Sequence, residues 1–194
     1  MGFSYNAAPT LPAQILMTLL ALGINHKTAP VALREKVAFT PDSLVEALAS
    51  LKKLEGVDES VIVSTCNRTE LYVNTQDDTG QKLLQWLSDF HHLDVEEIAN
   101  NSYVLAQDEA VKHIMRVASG LDSLILGEPQ ILGQVKQAFG DAKHSANATS
   151  SIVNLKTSPM FIRLASFANR MPPPRPFVPM IYPWSISKVM TFFK

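Results

Sequence analysis

The order of short apolar runs and amphipathic stretches predicts an α+β fold, a ferredoxin-like β-α-β-β-α-β sandwich followed by helices. Three observations carry this reading. Runs with strand character recur at 18–24, 60–64, 71–73 and 102–105. Stretches with helical spacing separate the first run from the second and the third from the fourth. The two middle runs flank Thr65-Cys66-Asn67-Arg68, where Asn tolerates a left-handed turn, so they read as a hairpin.

Each element has a local cause. Thr18 to Ile24 is apolar and suits a buried strand, while residues 1–16, with Pro9 and Pro12, read as a loose extension. Thr40 and Pro41 supply an N-cap and a first-turn proline, and Leu44, Leu48 and Leu51 follow at helical spacing, so 41–53 is a helix. Ser60-Val61-Ile62-Val63-Ser64 is β-branched and short, and Leu71-Tyr72-Val73 is its partner. Leu83, Leu87 and Phe90 mark a helix over 80–92, with His91 and His92 at its end, where positive charge suits the dipole. Ser102 to Leu105 is a short strand. Asp108 is expected to cap a helix with a Val111, Ile114, Met115 and Ala118 core stripe, stopped by Gly120. Pro129 is expected to open a last helix whose buried side is Ile131, Val135, Ala138 and Ala142.

Composition divides the chain. At 46% apolar and 18% charged, its 194 residues can bury a core. Residues 1–151 carry a net charge of −7, and 152–194 carry +6 with no acidic residue. Seven of the 12 prolines lie in that last segment, so two unlike pieces share the chain. No apolar run reaches membrane-span length, and no basic residue precedes Lys27, which argues against a secretory signal. One cysteine excludes an internal disulfide and a Cys-based zinc cage, and a lone thiol fits a reducing compartment. No G-x-G-x-x-G or P-loop pattern occurs among the eight glycines.

Few residues can carry chemistry. Cys66 reads either as a small buried hydrophobe or as an accessible turn thiol, with Arg68 two positions on to favour the thiolate. Arg68 and Glu70 share a strand face, either as a weak surface ion pair or with Arg68 free to grip a carboxylate or phosphate. Gln130, Gln134 and Gln137 form a polar stripe, either a solvated helix shoulder or a row of amides beside a polar substrate. His113 lies roughly opposite its helix's core stripe and reads as exposed, unless it faces the Cys66 turn and shuttles a proton there. His26, at a strand end, has the same ambiguity. No His/Cys cluster suggests a metal.

Three motifs resemble those of the glutamyl-tRNA reductase family. Gly23-Ile24-Asn25-His26-Lys27-Thr28-Ala29-Pro30 resembles its opening motif. Ser64-Thr65-Cys66-Asn67-Arg68-Thr69-Glu70 resembles its catalytic-cysteine motif. Ala118-Ser119-Gly120-Leu121-Asp122-Ser123, continuing from Gly127-Glu128-Pro129-Gln130 to Gln134, resembles its substrate-pocket signature. The resemblance covers about 17–150 and marks that span as a catalytic domain.

The resemblance implies a reaction. A cysteine thiolate attacks the glutamyl-tRNA ester, and NADPH reduces the resulting thioester to glutamate-1-semialdehyde for tetrapyrrole (porphyrin and heme) biosynthesis. Cys66 would be the nucleophile and His113 the activity-supporting histidine. Thr65, Asn67, Arg68, Ser123, Glu128, Pro129, Gln130 and Gln134 would line the glutamate pocket, with Arg68 on the carboxylate. No metal is implied. The family is cytoplasmic and homodimeric, and glutamate-1-semialdehyde aminotransferase is a further expected partner. Its members continue into a spinal helix, an NADPH domain and a dimerisation domain. Residues 151–194 resemble none of these and read as a disordered or misread tail. The expectation is therefore a truncated reductase without its cofactor site, able to acylate and hydrolyse but not to reduce. Its −7 body offers tRNA weak electrostatic grip. The alternative is a non-catalytic binding or regulatory fragment of the same fold.

Overall fold

A computed structural model describes residues 18–75, 79–128 and 130–148. The extension 1–16, Met17, Pro129 and the segment 151–194 lie outside the described residues. The elements run β1 (Thr18–Asn25), α1 (Val31–Lys36), α2 (Pro41–Leu51), β2 (Val57–Thr65), β3 (Arg68–Thr75), α3 (Gly80–His91), α4 (Val95–Asn100), β4 (Tyr103–Ala106), α5 (Gln107–Ala118) and α6 (Gln130–His144). The sheet order is β2-β3-β1-β4, antiparallel throughout, which is the split βαβ arrangement the sequence predicts.

The hairpin is tighter than expected. Thr65 pairs with Arg68, so only Cys66 and Asn67 form the turn. The Thr65 hydroxyl accepts from the Asn67 and Arg68 backbone N–H groups, each at 3.2 Å, which closes that turn locally. β1 lies on the other side of β3, with Asn25 opposite Arg68 and Gly23 opposite Glu70.

Thr40 caps α2 as expected: its side chain accepts from Ser43 N–H, the Ser43 side chain answers on Thr40, and Pro41 opens the first turn. Two six-residue helices, α1 and α4, escaped the sequence reading, being too short to show a period. Asp108 is not the cap of α5. Ala106 holds that position without a side-chain bond, and Asp108 sits in the first turn, where the helix dipole favours an acid.

Both faces of the central strands are covered. Thr69 and Glu70 are neighbours on β3, so their side chains leave opposite faces. Thr69 bonds the Val37 carbonyl at the end of α1, on the side of α2 and α3, whereas Glu70 meets His113 of α5. Every residue of β3 is buried as a result. No helix among the described residues is long and apolar enough to cross a membrane.

Candidate active site

The site forms where the β2–β3 turn, the end of β1, helix α1 and the 119–128 loop meet. Asn25 ends β1 in a side-chain turn: its Oδ1 accepts from Lys27 N–H at 2.8 Å, and its own N–H donates to Thr28 Oγ1 at 3.0 Å. The chain then passes beside the hairpin, and His26 N–H donates to the Asn67 carbonyl at 3.0 Å. From α1, Arg34 Nη1 donates to the Cys66 carbonyl at 2.9 Å and to Asn67 Oδ1 at 3.0 Å. The turn is thus held from two sides while Cys66 stays exposed as a free thiol.

Arg68 points the other way. It is 1% exposed, neither a surface pair nor a free grip. Its Nη1 donates to Glu70 Oε1 at 2.7 Å and, more loosely, to Asp122 Oδ2 at 3.5 Å. Its Nη2 donates to the Asp122 carbonyl. Lys27 completes the chain by pairing with Asp122 Oδ1.

Glu70 is the centre of this network. Oε1 also accepts from Tyr103 Oη, and Oε2 accepts from Tyr72 Oη at 2.6 Å. Burial alone would raise its pKa. The His113 hydrogen bond and the Arg68 charge overcome that and hold it at about 2. Burial together with the Glu70 charge pushes both tyrosines up, so they stay neutral donors. Asp122 is desolvated too, yet the Lys27 hydrogen bond and charge hold its carboxyl below the usual range.

His113 is not exposed, as its helical position suggested. Its Nε2 lies 3.0 Å from Glu70 Oε1 and 3.1 Å from Tyr103 Oη, and its side chain is 12% exposed. An ionised carboxylate only accepts, so Nε2 carries the proton and Nδ1 is the remaining nitrogen. Tyr103 reaches Glu70 because it lies over Gly23: a Cβ there would stand 2.4 Å from its ring.

The 119–128 loop delivers Asp122. Gly120 has φ +72°, and a Cβ on it would meet Gly127 Cα at 2.9 Å, so the loop ends close only through glycine. Gly127 N–H seals it by donating to the Gly120 carbonyl at 2.9 Å.

The structure therefore gathers Thr65, Cys66, Asn67 and Arg68 on one hairpin, joins Ser123 to them through its neighbour Asp122, and joins His113 through Glu70. Ser123 Oγ is buried without a partner. Gln134 is exposed and lines, with Ser64, a groove of about 520 Å³ between α2, β2 and α6. Among the described residues no hydrogen bond ties Glu128 or Gln130 to the turn, and Pro129 lies outside them. The His26 pKa is lowered, first by burial and then by the charges of Arg68, Lys27 and Arg34, with Asp122 opposing. Among the described residues no group of His, Cys, Asp and Glu could hold a metal ion. Sequence reasoning missed Arg34, Asp122 and Tyr103. A glycine in mid-strand hinted at Tyr103; nothing local marked Arg34, 32 residues from the turn it holds.

The comparisons with known proteins converge. Residues 22–161 match the family model described as glutamyl-tRNAGlu reductase, N-terminal domain. A glutamyl-tRNA reductase from Pseudoalteromonas atlantica is 63% identical over 139 residues, 72% of this chain and 33% of that one. One from Pseudoalteromonas translucida is 60% identical over 131 residues, 67% of this chain and 31% of that one. The solved glutamyl-tRNA reductase from Methanopyrus kandleri superposes with a TM-score of 0.58 at 31% identity, covering 78% of this chain and 34% of its own. The chain spans about a third of the length of these relatives.

Proposed function

This chain belongs to the glutamyl-tRNA reductase family through its N-terminal domain, and from that premise we propose that Cys66 takes the glutamyl group from glutamyl-tRNA as a thioester. The exposed thiol at the tip of a clamped two-residue turn is the observation that carries the reading. The thiolate sulfur attacks the ester carbonyl carbon, a C–S bond forms, and the C–O bond to the tRNA ribose breaks. The leaving oxygen takes a proton, and the acyl group stays on the protein until water removes it.

The clamped turn supports attack because it fixes the sulfur's approach without covering it. Thr65, Asn67 and Ser123 border the acyl group in this reading, and Ser123 Oγ is an unpartnered donor beside it. His113 supports the step through the nitrogen that Glu70 leaves unbonded. Arg68 reaches an acyl carboxylate only where that carboxylate takes the place of Asp122. Gln134 meets the substrate along the groove it lines with Ser64. Glu128, Pro129 and Gln130 belong to the proposed pocket by family match alone.

The described residues do not fit NADPH. The sheet is antiparallel, and none of its strands runs through a glycine-rich turn into a helix N-terminus that would cradle a pyrophosphate. No step through that cofactor is derived from this chain.

The test is single-turnover deacylation of glutamyl-tRNA. The wild-type chain is expected to accelerate it above the spontaneous rate, and Cys66→Ser to return it to that rate. Equal rates for the two proteins overturn the nucleophile.

A further inference from the structure

The groove of about 520 Å³ between α2, β2 and α6 begins beside the Cys66 turn. Ser64 lines it and stands two residues before Cys66, so no more than about 7 Å of strand separates them. The Ser64 hydroxyl accepts from Phe39 N–H at 3.0 Å. Phe39 lines the groove too, and it follows α1, the helix whose Arg34 holds the Cys66 carbonyl. The groove thus shares its framework with the turn.

Its two walls differ. α2 contributes Leu44 and Val45, and Val45 is 63% exposed, an apolar surface open to water. α6 contributes Gln134, Gln137 and Asp141, spaced three and four apart on one face. Gln137 Nε2 donates to Asp141 Oδ1 at 2.7 Å. That bond leaves the second amide N–H and Asp141 Oδ2 without a hydrogen bond to a described residue. No lysine or arginine is among the described residues that line the groove, so a phosphate has no cation to meet there. A flat heterocycle with an amino group beside a ring-nitrogen acceptor suits it better. Its face meets the apolar wall, and its edge meets the carboxylate and the amide. The volume lies within the about 300–1,000 Å³ of small-ligand sites.

We propose that this groove is the subsite for the terminal adenosine of the tRNA, holding the adenine while its ribose ester lies at Cys66. This rests on the acyl-transfer reading above and deepens it. An aminoacyl-tRNA carries its amino acid on the ribose of its terminal adenosine, so the base lies within one nucleoside's reach of the attacked carbon. Asp141 Oδ2 accepts from the 6-amino group, the free Gln137 N–H donates to the neighbouring ring nitrogen, and Leu44 and Val45 cover one face of the ring. An acidic body then holds the acceptor end by its base rather than by its phosphates.

The experiment titrates the chain with adenosine and with inosine, whose 6-position is a carbonyl oxygen, and follows backbone amide shifts by NMR. Adenosine is expected to shift signals of 41–48 and 134–145, and inosine to bind about tenfold more weakly, the effect of one good base-edge pair. Val45→Glu, at an exposed helix position, is expected to abolish the shifts. Asp141→Asn replaces a pure acceptor with a group that also donates, and is expected to erase the preference for adenosine. Adenosine shifts elsewhere, equal binding of inosine, or a preference that survives Asp141→Asn overturns the proposal. No acyl group moves in this measurement, so the two readings fail separately. Adenosine bound in the groove of a chain whose Cys66→Ser variant deacylates normally would sink only the nucleophile. A thioester on Cys66 with no adenosine in the groove would sink only this subsite.

Discussion

The β2–β3 hairpin carries two polar regions built on opposite terms. At its base, Arg68, Glu70, Tyr72, Tyr103 and His113 are packed together, and Glu70 is fully buried with four donors on its two oxygens. At its tip, Cys66 is exposed, and Arg34 Nε, on the side chain that bonds its carbonyl, is buried without a partner, as are His26 Nδ1 and Ser123 Oγ in the two segments that meet the hairpin. Buried polar atoms are normally satisfied, so the base reads as structure and the tip as a place completed by something else. The lesson is that a motif of seven residues, 64–70, is not one functional unit. In the proposed acyl transfer its first half presents the thiol, and its second half holds that presentation still.

Breaking the base should cost most. Glu70→Gln leaves Arg68 without its closest carboxylate and is expected to destabilise the fold by about 3–5 kcal/mol in urea denaturation, since a buried charge loses its partner. A loss under about 1 kcal/mol would mean that the network is not a fastener.

Acid should attack the same point. Glu70 has a folded pKa of about 2, below its ordinary value, so its contribution is complete above the ordinary carboxylate range and fades as pH falls toward 2. The expected loss is on the order of 3 kcal/mol, and Glu70→Gln should flatten that part of the stability–pH profile. His26 acts in the same direction at higher pH. Its folded pKa is lowered, chiefly by burial, so protonation destabilises the fold as pH drops below the ordinary histidine value.

Gly23→Ala sharpens the comparison more gently. The added methyl meets the Tyr103 ring, so overpacking should cost about 1–3 kcal/mol and loosen the tyrosine from Glu70. Tyr103 fluorescence and a denaturation midpoint would both report it; an unshifted midpoint would mean that the ring is not held there.

The tip should behave in the reverse manner. Cys66→Ser touches an exposed side chain, so stability should change by under about 0.5 kcal/mol. A larger loss would place the thiol in the structure rather than the site.

Much of the fold was legible because local rules agree with the global arrangement. Thr40 and Pro41 cap α2, the apolar runs became the four strands, and the hairpin turns at Cys66 and Asn67, although without the left-handed backbone that Asn67 was expected to supply. The site was only half legible. The spacing of Arg68 and Glu70 showed one shared face but not depth, and depth turned a weak surface pair into a buried network. His113 was misplaced because the buried face of α5 is wider than its expected stripe: Ala110 and Val117, three before and four after it, are buried too, so His113 lies on the side that meets β3. Arg34 was invisible because its role depends on a six-residue helix without a period and on a contact 32 residues away.

The account stands on the sulfur of Cys66 accepting an acyl group. Mixing the chain with glutamyl-tRNA, quenching in acid within one turnover and weighing the intact protein tests it directly. The expected result is a single glutamyl adduct on the wild-type protein, removed by hydroxylamine and missing in Cys66→Ser. An adduct that survives hydroxylamine, or one carried equally by Cys66→Ser, contradicts it.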